Sequence, residues 1–231
     1  MKILAIETAS SACSAALLID DDIKVEFELA PRMHTQLILP MVTSLLATAG
    51  LKLQHIDAIA FSRGPGAFTG LRIAAGITQG LAFSADLPVI PISTLAAMAQ
   101  SAYQQYDEHS IAVALDARIA EVYWGQYQLD SEQKMRLIDQ ELVCAPSQTP
   151  LLTRKSGAIG SGWAEYDIEM TSRHATQLSR IEPDINPSAE FIALLAVDDF
   201  KQQRWLDAAQ AEPIYLRDNV ALTIKERQQN A

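Results

Sequence analysis

Cysteine is scarce: Cys13 and Cys144 are the only two in 231 residues. They lie far apart and form no CxxC or Cys/His cluster, which argues against a disulfide framework or a structural zinc site. Basic residues are also short, 18 Lys and Arg against 28 Asp and Glu, for a net charge of −10. Nucleic-acid affinity comes mainly from Lys and Arg, so any role on RNA must be borrowed from a partner. No uninterrupted apolar run reaches the roughly 18 residues of a membrane helix. The opening MKILAIETAS lacks the apolar core of a signal peptide. A soluble, cytoplasmic protein without a membrane role is expected. What is present is 49% hydrophobic residues with 20% charged, enough for one large domain or two small ones that fold without staples.

The chain opens with three strand signals. Ile3–Ile6 is a short apolar run ending in Glu7-Thr8, and Ala12–Ile19 is a second run closed by Asp20-Asp21-Asp22. Val25, Phe27 and Leu29 then alternate with polar neighbours, the period of a strand with one wet face. Three consecutive strands predict an antiparallel meander. A helix is expected over 34–49, ended by Gly50, with Pro40 forcing an irregular first turn or a kink. A strand over 56–61, a glycine-rich loop, a helix over 70–85 capped by Thr69, a strand over 88–92 and a helix from Ser93 or Thr94 to about Tyr106 complete the first half. Ile111–Leu115, the turn Asp116-Ala117-Arg118 and Glu121–Leu129 then repeat the opening plan. Two βββαβα halves, each with an acidic residue closing its first strand, are the plan of the actin/hexokinase/Hsp70-like (ASKHA) fold, which is RNase H-like in each lobe. The second half reads as truncated: 145–187 is rich in Pro, Ser, Thr and Gly, and one late helix, about 188–205, follows. Lobes of 1–106 and 107–231 are expected, and the polar Lys225–Gln228 stretch should fray.

Chemistry-bearing candidates are few. Ser62-Arg-Gly-Pro-Gly-Ala-Phe-Thr-Gly-Leu-Arg72 joins a strand to a helix, where glycines permit close backbone approach and a helix start attracts anions. No Lys-Ser/Thr pair follows the glycines, and their spacing misses GxGxxG, so a rigid connector is the favoured reading. Glu7, Thr8, Ser10 and Ser11 form the candidate remnant of an anion or nucleotide cleft, in a turn without glycine or lysine. No resident cofactor or metal is expected, and nucleotide binding only weakly, in a complex. The four histidines are scattered and give no metal pair. No catalytic residue is assigned.

The helices are the stronger signal. Both the 34–49 and the 70–85 segments carry apolar or small residues on nearly every face, and such a helix must be covered on two sides. Gly76 and Gly80, one turn apart, allow close approach of another backbone. The candidate partner interface is His34, Leu37, Ile38, Met41 and Leu45 on the first helix, with Arg72, Ile73, Gly76, Ile77 and Gly80 on the second.

Four stretches together resemble one family. They are Ile3-Leu-Ala-Ile-Glu-Thr8, Met33-His34-Thr35 through Leu39-Pro40, the Ser62–Arg72 loop, and Glu212-Pro-Ile-Tyr-Leu-Arg217. The chain is similar over nearly its whole length to the bacterial TsaB (YeaZ) family of tRNA threonylcarbamoyladenosine biosynthesis proteins. The resemblance implies an ASKHA fold that has lost part of its second lobe and most of its nucleotide chemistry. It implies a non-catalytic partner of the related enzyme TsaD, which transfers a threonylcarbamoyl group to the adenosine beside the anticodon (t6A) in tRNAs reading codons that begin with A. The resemblance further implies that a small ATPase, TsaE, joins the pair; the two overloaded helices predict a homodimer in isolation, and tRNA is expected to be met through the complex. TsaD-like enzymes hold a metal through HxxxH, whereas here only His34 stands in that region. The competing readings are an independent ATPase or kinase of the same fold, and a metalloprotease homologue.

Overall fold

The structure, a computed structural model, describes residues 1–217. The Lys225–Gln228 stretch lies outside the described residues. Strands β1 (Lys2–Glu7), β2 (Ala12–Ile19) and β3 (Asp22–Leu29) form the expected antiparallel meander, with Leu4 opposite Leu17 and Ala16 opposite Val25. Helix α1 (His34–Thr48), β4 (Ala58–Gly64), α2 (Phe68–Ala85), β5 (Val89–Ser93) and α3 (Thr94–Tyr106) follow. Strands β4 and β5 add in parallel, giving the order β3-β2-β1-β4-β5. Parallel central strands are covered on both faces. Accordingly Ile3, Leu4, Ala5 and Ile6 are all fully buried, and the run is continuous rather than alternating.

The second half repeats the plan. Strands β6 (Ser110–Arg118), β7 (Glu121–Leu129) and β8 (Met135–Leu137) form a meander, and β9 (Leu142–Cys144) also pairs with β7. Strand β10 (Ser156–Ile159) and β11 (Leu178–Glu182) add in parallel, for an order of β11-β10-β6-β7-β8. Where the first half places α1, the second has only β9 and a single 3-10 turn. This is the expected truncation. The 145–187 region is more ordered than its composition suggests, because α4 (Gly162–Glu165) and α5 (Asp167–His174) fill one face of this sheet around Trp124 and Trp163.

The last helix of each half crosses to the other sheet. Helix α3 packs Leu95, Met98, Ala99 and Ala102 against Ile111, Val113 and Tyr127 of the second sheet. Helix α6 (Ala189–Lys201) packs Phe191, Ile192 and Leu195 against Ile3, Ala16 and Ile90 of the first. A boundary at residue 106 therefore divides the sequence, while α3 and α6 exchange places in space.

Local signals set the helix ends. Gly50, with a φ of +64°, closes α1. Its amide donates to the Ala47 carbonyl and the Leu51 amide to the Leu46 carbonyl, at 3.0 and 2.9 Å, the Schellman pattern. Helix α1 continues through Pro40 as one element from His34 to Thr48, with Gln36 and Pro40 both exposed. The carbonyl left unbonded by the proline is thus within reach of water. Ser93 caps α3 through the Ala96 amide, as expected. Helix α2 starts two residues earlier than expected, with Ala67 and not Thr69 at the cap position. The Ala67 amide donates to the Ala9 carbonyl at 2.7 Å, which holds that residue extended.

Candidate functional site

The glycine-rich loop is a clamp. A Cβ placed on Gly66 would lie 2.5 Å from the Ala9 carbonyl oxygen, and one on Gly70 would lie 2.0 Å from that of Thr8. Only glycine lets the loop press this closely on the turn between β1 and β2. The loop is held rigidly against that turn, and Pro65 to Gly70 line the cleft between the lobes beside Ala9, Ser10 and Ser11.

The close packing of this loop divides the four residues of the expected anion cleft. Thr8 is buried and its hydroxyl donates to the Gly70 carbonyl at 2.7 Å. Glu7 is fully buried and accepts the Ala9 amide. Burial raises its carboxyl to about 7, eased by that amide and by the nearby Ser62 hydroxyl. Neither Glu7 nor Thr8 reaches the cleft, which corrects their assignment. Ser10 and Ser11 do line it: the Ser10 hydroxyl accepts the Ala12 amide and the Ser11 hydroxyl donates to Asn186 Oδ1 at 3.2 Å. The cleft has a volume of about 1180 Å³ between the lobes. Two of the three arginines that line it are paired, Arg118 with Asp116 at 3.2 Å and Arg217 with Glu121; Arg32 also lines it.

His34 is buried beneath the same turn. Its Nε2 stands 3.0 Å from the Ser10 carbonyl and 3.2 Å from the Ala12 carbonyl. Two acceptors require the proton on Nε2, so this nitrogen has no lone pair for a metal. The residue ties α1 to the meander.

Two clamps hold the lobes together, and sequence reading missed both. The Glu141 carboxylate accepts the Tyr127 hydroxyl at 2.6 Å and the Ser93 hydroxyl, and faces Arg63 at 3.3 Å. Ser93 and Arg63 belong to the first sheet, Tyr127 and Glu141 to the second half. Burial and the Glu141 charge push the Tyr127 hydroxyl well above its usual value. The second clamp joins the meander of the second sheet to α6, which packs on the first: Arg136 faces Asp198 at 2.6 Å and the Lys134 ammonium donates to the Leu194 carbonyl at 3.1 Å. No local motif marks Glu141; its partners are brought in by three separate elements.

The expected partner interface separates into a buried and an open set. His34, Ile38, Met41 and Leu45 are at most 8% exposed; the last three form the chain's own core with Leu4, Ile6 and Phe61, and His34 is bonded to the meander. These four are therefore corrected to internal packing, because the first sheet and α2 already cover that side of α1. Leu37, Ile73 and Ile77 are half-buried at the edge of the same core. Arg72, Gly76 and Gly80 are exposed, and nothing lies within 4 Å of a Cβ added at either glycine. The bare backbone runs between two aromatic residues that sequence reading did not single out, Phe68 at 50% and Phe83 at 84% exposed. Tyr215 joins them: its ring centroid lies 5.6 Å from Phe68 and its hydroxyl accepts Arg72 Nε at 3.2 Å.

No helix among the described residues is long and apolar enough to cross a membrane. The sequence model of the family described as TsaD, tRNA N6-adenosine threonylcarbamoyltransferase, matches residues 25–171. The tRNA threonylcarbamoyladenosine biosynthesis protein TsaB of Haemophilus influenzae is 42% identical, covering 95% of each chain. That of Escherichia coli is 41% identical over 96% of each. Among solved structures, YeaZ from Pseudomonas aeruginosa superposes with a TM-score of 0.86 at 41% identity, covering 93% of this chain and 99% of that one. Fold and full-length similarity agree, and the chain belongs to the TsaB (YeaZ) family of tRNA threonylcarbamoyladenosine biosynthesis proteins, with the ASKHA fold of the TsaD-like group.

Proposed function

We propose that this chain is a non-catalytic subunit that activates a TsaD-type enzyme for threonylcarbamoyl transfer to the adenosine beside the anticodon in tRNAs reading codons that begin with A. The observation that carries the reading is the outer face of α2. Gly76 and Gly80 leave a strip of bare backbone open to solvent, with Phe68 and Phe83 exposed at its ends. A helix from another protein can approach such a strip closely, and exposed aromatics supply apolar area at its ends. The partner in the cell is the TsaD paralogue. In its absence the same face pairs with a second copy of this chain, and the ATPase TsaE joins the heterodimer. The acidic balance, −10 overall, supports contact with tRNA through the complex and not directly. The work belongs in the cytoplasm, with the tRNA.

The reading assigns no resident cofactor or metal to this chain, and gives weak nucleotide binding in the interlobe cleft to the assembled complex. An independent ATPase is not favoured, since the loop glycines are pressed against Thr8 and Ala9. A metalloprotease is not favoured either, since His34 Nε2 is committed to two carbonyls.

The test is Gly76→Trp. Because the position is open within the chain, the variant should fold normally, and calorimetry should show loss of binding to the TsaD paralogue. Reconstituted t6A formation should fall with it. A folded Gly76→Trp protein that binds with normal affinity would sink the reading.

A further inference from the structure

The turn joining β6 to β7 holds a conformation that its own residues resist. Arg118, Ile119 and Ala120 have φ values of +63°, +54° and +54°. Arg118 pairs across the hairpin with Glu121, so Ile119 and Ala120 form a two-residue loop with both φ positive. Asn-Gly fills that geometry readily, whereas a β-branched residue there is an outlier. Ile119 is 76% exposed, so packing within the chain does not compensate.

The loop is held from its flanks. Asp116 Oδ1 accepts the Arg118 amide at 2.8 Å, and the Arg217 guanidinium donates to the Arg118 carbonyl at 3.3 Å and to the Glu121 carboxylate. Strain that neighbouring groups over-determine is concentrated at functional positions. Arg217 lies two residues beyond Tyr215, which packs on Phe68 and accepts Arg72 of α2. The start of α2, the 214–217 strap and the hairpin tip therefore form one continuous surface. The cations at the tip are neutralised within the chain by Asp116 and Glu121. What the tip presents outward is an apolar group among paired charges.

We propose that the Ile119 tip is a second contact for the partner that docks on α2, seating its side chain in an apolar recess of the TsaD-type enzyme. This rests on the reading of α2 given above. The left-handed turn is retained because it aims Ile119 away from the cleft floor and into that partner.

The experiment replaces the tip by Ile119→Asn with Ala120→Gly and measures both stability and binding to the TsaD paralogue of the same organism. Relief of the turn should raise the melting temperature by about 2–4 °C, while affinity falls at least about tenfold, roughly the loss of one buried aliphatic side chain. Ile119→Val, which keeps an apolar branched group in the same turn, should bind within about threefold of the parent. A more stable double variant with unchanged affinity overturns the proposal. Gly76→Trp, measured in parallel, separates the two claims. If it abolishes binding while the tip variant does not, the tip assignment fails and the α2 reading stands. If it binds normally, both fail.

Discussion

Gly70 lies directly on the Thr8 carbonyl: a Cβ there would stand 2.0 Å from the oxygen. This contact joins the start of α2 to the end of β1. It fixes the glycine-rich loop rigidly on the turn between β1 and β2, with Gly66 and Gly70 in the wall of the cleft.

Two alanine substitutions on α2 should therefore have opposite signs. Gly70→Ala forces apart two backbones and should cost about 3 kcal/mol or more. Gly76→Ala meets open space inside a helix and should stabilise by about 0.5–1 kcal/mol. Urea unfolding of the two variants checks the contrast, and a mild Gly70→Ala phenotype would contradict the packing described.

Glu141 should be the most sensitive carboxylate between the lobes. Glu141→Ala leaves the buried Tyr127 hydroxyl without its 2.6 Å acceptor and Arg63 without its counter-charge. Because Arg63 is partly exposed, the expected cost is about 2–3 kcal/mol, below that of a fully buried broken pair. Glu141→Gln, which keeps an acceptor, should cost less. Hydrogen exchange at the junction of β5 and α3 should quicken in the alanine variant, since Ser93 caps that helix. Unchanged exchange would show that the clamp does not hold the lobes.

Two buried groups give the protein opposing pH dependences. Glu7 is raised from 4.5 to about 7. Between those values the unfolded chain releases this proton while the folded chain keeps it, so stability falls as pH rises and levels off above about 7. The total is about 3 kcal/mol. His174, buried against Trp124 and bonded to Thr149 at 2.9 Å, is lowered from 6.5 to about 4. There the unfolded chain takes up the proton first, and stability falls as pH drops through the window from 6.5 to about 4. The two slopes overlap and offset each other in the parent protein. Glu7→Gln, which keeps an acceptor for the Ala9 amide, should expose a stability that increases from pH 4 to 6.5. His174→Phe should expose one that decreases from pH 4.5 to 7. Unfolding free energies across pH 4–8 for the three proteins test both signs.

Much of the fold is legible in the residues because it is local. The apolar run Ile3–Ile6, the alternation from Val25 to Leu29, Gly50 after α1 and Ser93 before α3 each act within a few positions, and each element lies where those signals predict. The candidate site was harder to read. The composition of α1 and α2 marks both as overloaded with apolar groups, but it cannot say which face the first sheet covers. Ile38 and Met41 are as greasy as Leu39, yet the first two are core and Leu39 is 43% exposed.

What the sequence determined alone was the type and order of the elements of the first half, the recurrence of a meander in the second, and the family, because hydrophobic period, caps and a specific glycine motif are properties of neighbouring residues. Tertiary structure alone decided that α3 and α6 trade sheets, that Gly66 and Gly70 close on Thr8 and Ala9, and that Glu141 gathers Ser93, Tyr127 and Arg63. Each of these joins residues far apart in the chain, and such contacts are selected by how whole layers pack rather than by any preference written in the adjacent sequence.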